Sequence, residues 1–277
     1  MPNQRHVLTV LWLLAGILLL PPLLADEPPA EPWDAPAFSV APEALLEAAA
    51  SLPAEDDDVQ VLVEERSYRF DDDGRVSLRH RMIFCVLTPD GVSWSSLYAT
   101  WRPWHQERPE IRARVITAAG AVHWLDPATI SESPVGDDSA TVLSDRLRLN
   151  APLPAVAVGS LIEEVITLRD TAPLFDRGTV HTYLFGREEP VHRSRLVVDA
   201  PRSLPLHHVS RLLDGVEPRR EESDGRVRLT FAVDGLAAVE DAEPLAPGDV
   251  SQGPQVTFST GESWGAVARR YSEVVDA

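Results

Sequence analysis

The stretch VQVLVEERSYRF at residues 59–70, with DDDG at 71–74 and VSLRHRMIFCV at 76–86, decides the fold. Val59, Val61 and Val63 alternate against Leu62, and Tyr68 and Phe70 continue the second face. After the turn, Val76, Leu78, His80, Met82, Phe84 and Val86 alternate on the return. Period two on either side of an acid-glycine turn is a β-hairpin. Toward the end of the return strand the other face is also apolar, through Ile83, Cys85 and Leu87, which predicts burial on both sides. Pro89-Asp90-Gly91 makes the next turn.

The same grammar recurs downstream, in residues 92–100, 111–117, 122–125, 141–149, 161–168, 179–185, 195–198 and 227–233. Many strands joined by turns and Pro-rich connections predict a mainly β fold, an antiparallel β-sandwich over residues 58–250. Upstream, Pro42 to Leu52 reads as a short helix with Leu45, Leu46, Ala49 and Leu52 on one face, placed to cover a sheet edge or tether the domain. Asp26 to Ala41, rich in Pro, Ala and Glu, reads as a flexible linker, so 26–57 forms a linker and short helix. Downstream, 251–277 reads as a linker strand followed by a helix, with Ser263 at its cap and Trp264, Val267, Ala268 and Tyr271 on one face.

The first 25 residues have the order of a secretory signal. Arg5 and His6 precede an apolar run from Val7 to Leu20, Pro21-Pro22 break it, and Ala25 precedes Asp26. The run is shorter than the roughly 20 residues of a membrane-spanning helix. Export to the periplasm or beyond, without stable membrane insertion after cleavage, is therefore expected. Cys85 is the only cysteine, so no intrachain disulfide can form. A formal charge of −18 argues against nucleic acid as a partner. Every basic side chain other than histidine is arginine; the sequence contains no lysine.

Motifs that suggest chemistry resolve into simpler roles. Gly261-Glu262-Ser263-Trp264-Gly265 has the spacing of a nucleophile elbow, but no histidine follows it, and Ser263 reads as a helix cap. Cys85 lies among strand residues without the cationic surroundings that activate a thiol. His181, His192 and the adjacent His207-His208 lack metal-ligand spacing, and Asp71 to Gly74 lacks the later acid of a calcium loop. No cofactor and no metal is expected. Trp94, Tyr98, Trp101, Trp104 and His105 concentrate aromatic rings around Arg102-Pro103, either as packing or as a surface for sugar or protein.

Several short runs then resemble a known pattern: Asp73 to Val76, Thr88 to Val92, Pro109 to Val115, Ala119-Gly120 with Leu125-Asp126, Val158 to Glu163, Glu189 to Val191 leading to Ser194 to Val198, and Glu243-Pro244. Their order resembles the β-sandwich domain of unknown function that precedes transglutaminase-like domains in exported bacterial proteins. The segment Ser263-Trp264 with Val267-Ala268 and Tyr271 is similar to the helix by which such proteins enter the transglutaminase-like part. The resemblance covers about residues 58–277. It implies a scaffold or substrate-presenting module whose partner is a protein or peptide, the transglutaminase-like domain above all. The Cys, His, Asp series of that domain has no counterpart in this sequence, so no catalysis is expected. Partner contacts are expected at Trp101, Trp104, His105, Trp264, Val267 and Tyr271. The competing expectation is a free-standing envelope module that binds glycan or peptide through the Trp94 to His105 aromatics.

Overall fold

The computed structural model describes residues 31–53, 57–135, 145–173, 179–239 and 253–261, with 263, 265, 268, 269, 272 and 273 beyond them. The fold is mainly β. One helix, α1 (Pro42–Ser51), precedes the strands β1 (Val59–Phe70), β2 (Val76–Val86), β3 (Ser96–Trp101), β4 (Glu110–Ile116), β5 (Val122–Trp124), β6 (Ser131–Pro134) and β7 (Leu147–Pro152). There follow β8 (Leu161–Arg169), β9 (Val180–Leu184), β10 (Val191–Pro201), β11 (His207–Arg211), β12 (Arg219–Ser223), β13 (Arg226–Leu236) and β14 (Gln255–Ser259).

Eight of these form one large sheet in the order β12-β13-β10-β1-β2-β8-β4-β5. Two three-stranded sheets, β3-β7-β6 and β11-β14-β9, share one of its faces. The first packs Leu97, Trp101 and Leu149 against Val61, Phe84 and Ile162. The second packs Tyr183, Val256 and Phe258 against Tyr68, Leu196 and Phe231. This is the expected sandwich, with its second layer split in two.

The hairpin of β1 and β2 forms about its turn, but β1 does not keep the two faces read for it. Asp71 closes it by accepting hydrogen bonds from the backbone N–H of Asp73 at 3.0 Å and of Arg75 at 2.9 Å, while Gly74 takes φ 87°. A bulge between Val61 and Val63 shifts the register. It returns Glu64, Tyr68 and Phe70 to the side that Val59 and Val61 occupy, and sends both Leu62 and Val63 to the other.

The N-terminal part departs from expectation. The stretch 31–41, read as a flexible linker, lies folded against the large sheet, with a 3-10 turn at Pro32–Asp34 and Trp33 only 1% exposed. Its composition is that of a linker, but one tryptophan and several backbone carbonyls give it a site. Helix α1 covers the same face rather than an edge: Leu45 packs with Trp33 on Leu62, Ile83, Ile116 and Leu161. That accounts for the two-sided burial predicted near Ile83.

Other boundaries also move. Residues 92–94 form a 3-10 turn with Asp90 and Gly91 rather than strand, and β3 starts at Ser96. Strand β14 belongs to the body, paired with both β9 and β11, so the body continues past residue 250. Strands β6, β11 and β12 had no alternating signal because nearly every residue in them faces solvent. Pairing is antiparallel apart from β1 with β10, which run parallel. The signal segment, and Trp264, Val267 and Tyr271, lie outside the described residues. Gly265, Ala268, Arg269, Ser272 and Glu273 beside them are helical, as expected.

Candidate functional site

The aromatic group around Arg102-Pro103 does not form one surface. Trp101, at 4% exposure, belongs to the core with Leu149 and Ile111, so it is not the partner contact that was expected. Trp104 is 58% exposed and leans on His105 with ring centres 4.1 Å apart. Trp94 packs on Phe84 and is covered by the Arg187 guanidinium at 5.5 Å, and Tyr98 faces outward under Arg148. Alternation along β3 turns Tyr98 and Trp101 to opposite faces, which removes a shared stacking platform.

His105 turns inward instead, into a cavity of about 190 Å³ shared with Tyr68, Leu78, Asp170 and His181. Its loop is pinned by the Thr171 N–H donating to the His105 carbonyl at 2.8 Å. Both ring nitrogens are buried without a hydrogen-bond partner, and Nδ1 lies 3.9 Å from Asp170 Oδ1. Burial pushes His105 below the usual histidine range, against the pull of Asp170, and burial does the same to His181. His181 is held between Tyr68 and Phe258 and sits 3.0 Å from Thr179 Oγ1. Asp170 is committed to the β2 edge, accepting from the Val76 N–H at 3.2 Å.

A second polar group lies between the two small sheets, on the inner face of β1, β2 and β8. Glu64 Oε1 meets His80 Nε2 at 3.2 Å and Arg187 at 3.3 Å. Burial works to raise the Glu64 pKa, but the His80 hydrogen bond and the charges of His80, Arg187 and Arg66 hold it below the usual carboxylate range. Glu164 is the opposite case. Burial pushes its pKa up to about 8, Arg187 opposing and the Glu64 charge adding to the rise, and Oε2 has no partner. Two carboxyls pushed apart in this way are the pattern of an acid-base pair. Both are buried, and neither lines any of the cavities described.

Glu163, one residue before Glu164, points to the other face and does structural work. It accepts from Arg81 at 2.9 Å and Arg114 Nε at 2.9 Å, and the Phe38 N–H donates to it at 2.9 Å. Arg81 also donates to the carbonyls of Trp33 and Ala35, and Arg114 to that of Val40. The two arginines thus tie residues 33–40 to the sheet. Sequence reading missed this group, although the visible signal was a Glu-Glu pair inside the apolar run 161–168.

Burial pushes the Cys85 thiol up, away from a reactive thiolate. Among the described residues no group of three His, Cys, Asp or Glu is placed to hold a metal ion. Ser263 is exposed and borders a groove of about 300 Å³ with Val180, Val209, Phe258 and Ser259. The outer face of β11-β14-β9 beside that groove presents Val180, Leu184 and Val209, the last two at 55% and 59% exposure, around Thr182 and Thr257.

Comparison with known proteins adds the following. The family model described as "Domain of Unknown Function with solved-structure structure (DUF3857)" matches residues 72–240. No curated protein matches the chain. Among solved structures, one described as a "putative protease" from Parabacteroides distasonis matches with TM-score 0.68 at 14% identity, over 78% of this chain. This chain spans only 43% of the length of that one. Aminopeptidase A of Legionella pneumophila, in complex with aspartic acid, matches with TM-score 0.37 and 8% identity, over 77% of this chain and 22% of its own. Yeast LTA4 hydrolase matches with TM-score 0.36 and 9% identity, over 73% and 29%.

Proposed function

We propose that this chain, which belongs to the DUF3857 family, is a non-catalytic β-sandwich module of an exported protein that holds a protein partner, a transglutaminase-like domain. The observation that carries the reading is the exposed apolar side chains on the outer face of β11-β14-β9. Val180, Leu184 and Val209 stand exposed there beside the point where β14 gives way to Ser263. Apolar side chains gathered on one exposed sheet face are a feature of interaction surfaces. A domain attached after β14 would meet this face first.

Three further points support the reading. The groups with the best credentials for acid-base work, Glu64 and Glu164, are sealed inside the sandwich. The structural neighbour from Parabacteroides distasonis, a longer chain, shares this fold over less than half of its length. The absence of lysine also suits a module beside an acyl-transferring enzyme: no side chain offers a primary amine as acceptor. Sugar binding through the Trp94 to His105 aromatics draws no comparable support from rings that face apart.

Titration of isotope-labelled protein with a separately expressed transglutaminase-like domain of the same organism tests this. Amide shifts should concentrate on β9, β14 and β11, and Leu184→Asp with Val209→Asp should abolish them. Peptide hydrolysis or transamidation by the isolated chain, lost in Glu164→Gln or Cys85→Ser, would overturn the reading.

A further inference from the structure

The outer face of the large sheet carries, beyond α1 and residues 31–41, a patch built by strand register. Outward side chains on five adjacent strands form rows. The middle row runs Arg79, Ser67, Val197, Thr230, Arg219, from β2 through β1, β10 and β13 to β12. One flank carries Arg69, Asp199, Arg228 and Glu221; the other carries Glu65 and Arg195. Short side chains between long ones make a trough of about 490 Å³. Its ends, Arg79 and Arg219, are four strand steps apart, about 19 Å at about 4.8 Å per step.

The charge of this trough runs against that of the protein. Five guanidinium groups and three carboxylates line it, in a chain of formal charge −18. The three carboxylates engage four of the five cations, Arg79 and Arg195 through Glu65, Arg219 through Glu221 and Arg228 through Asp199. Arg69 makes no ion pair among the described residues. Arg195 Nε lies 2.7 Å from Glu65 Oε2 yet makes no well-directed hydrogen bond, and it is buried. Arg79 is pushed below the ordinary arginine range by burial, with Glu65 opposing and the Arg81 charge adding to the effect.

We propose that this trough binds an extended acidic peptide, its carboxylates seated on Arg79, Arg69 and Arg219 and its backbone lying over the Ser67 and Thr230 hydroxyls. Guanidinium forks match carboxylates two bonds at a time, and arginine clusters are a recurrent device for reading acidic motifs. The spacing suits a chain whose charges are interrupted. A densely charged polyanion would meet Glu65, Asp199 and Glu221 along the same path. A neutral sugar would find no ring to stack on, since Tyr68 turns its ring into the core on the other face. An extended peptide of about six residues spans the distance. This goes beyond the docking of a folded domain and uses the opposite side of the large sheet.

Fluorescence anisotropy with a dye-labelled peptide of about six residues, glutamate alternating with threonine, tests the proposal. At low ionic strength the protein should bind this peptide and not its glutamine counterpart, and about 0.5 M salt should abolish binding. Arg69→Gln and Arg219→Gln remove exposed side chains and leave the fold intact, checked by urea unfolding; each should weaken binding about tenfold. Equal binding of the glutamine peptide, or unchanged affinity in both variants, overturns the proposal. Tighter binding of a heparin oligosaccharide that displaces the peptide overturns the assignment to peptide.

Discussion

Replacing Glu164 by glutamine keeps the shape of the side chain and removes its ionisation. In the unfolded chain the carboxyl titrates near 4.5, and in the fold near about 8, because burial penalises the charge, Arg187 offsets part of this and Glu64 adds to it. Between those values the folded protein holds a proton that the unfolded chain has released. The folding contribution of this group is therefore fully present below about pH 4.5, falls as pH rises, and is lost above about pH 8. Each pH unit in the window is worth about 1.4 kcal/mol, so the whole window is on the order of 4–5 kcal/mol. Urea unfolding of Glu164→Gln and wild type, followed by tryptophan fluorescence from about pH 5 to about pH 9, reads the difference directly. The two proteins should be nearly equal at the acid end, the variant ahead by about 3 kcal/mol at pH 7 and by more at the alkaline end. Glu164 Oε2 already lacks a partner, so the unpartnered amide adds little new cost. A difference that does not change with pH, or a variant less stable than wild type above pH 8, would refute the reasoning.

Three other outcomes follow from the packing. Glu163→Gln leaves Arg81 and Arg114 as buried charges without their counterion, and should cost about 3–5 kcal/mol in urea unfolding while making Trp33 accessible to a fluorescence quencher. Trp101→Ala should cost about 3–5 kcal/mol as a core truncation, whereas Trp104→Ala, only three residues on, should stay within about 0.5 kcal/mol; thermal unfolding of the pair decides whether the aromatic group is divided as described. Gly91→Ala would drive its new methyl into the Asp58 carbonyl oxygen, so a loss of at least 1 to 2 kcal/mol, roughly, is expected, and an unchanged midpoint would show that the 88–91 turn yields easily.

The hairpin at 59–86 was legible because alternation about a turn marks both of its strands, and the tertiary structure departs from that rule only at the bulge between Val61 and Val63. The edge strands β11 and β12 were not, since His207 to Arg211 and Arg219 to Ser223 are exposed and have no buried side to mark. The fold of residues 31–41 was hidden for another reason. Its attachment depends on Trp33 and on carbonyls that any sequence would have, and the specific partners, Arg81 and Arg114, lie far along the chain. The seam of Glu64, His80 and Glu164 was equally out of reach, because a bulge at Val61 to Val63 decides which face Glu64 takes. His105 was singled out for its neighbours, and the structure places it in a cavity with Asp170 and His181 that no spacing could have joined.

The parallel pairing of β1 with β10 bears on how the chain is made. Val61 meets Val191, about 130 residues later, whereas β2, the other strand that pairs with β1, is available by the end of the first hairpin. A growing polypeptide therefore carries the flank of β1 uncovered while about 130 further residues are made. Unsatisfied strand flanks recruit other chains, and closure across so long a span is slow. Truncations that stop short of Val191 should precipitate, while those that include β10 and β13 should stay in solution.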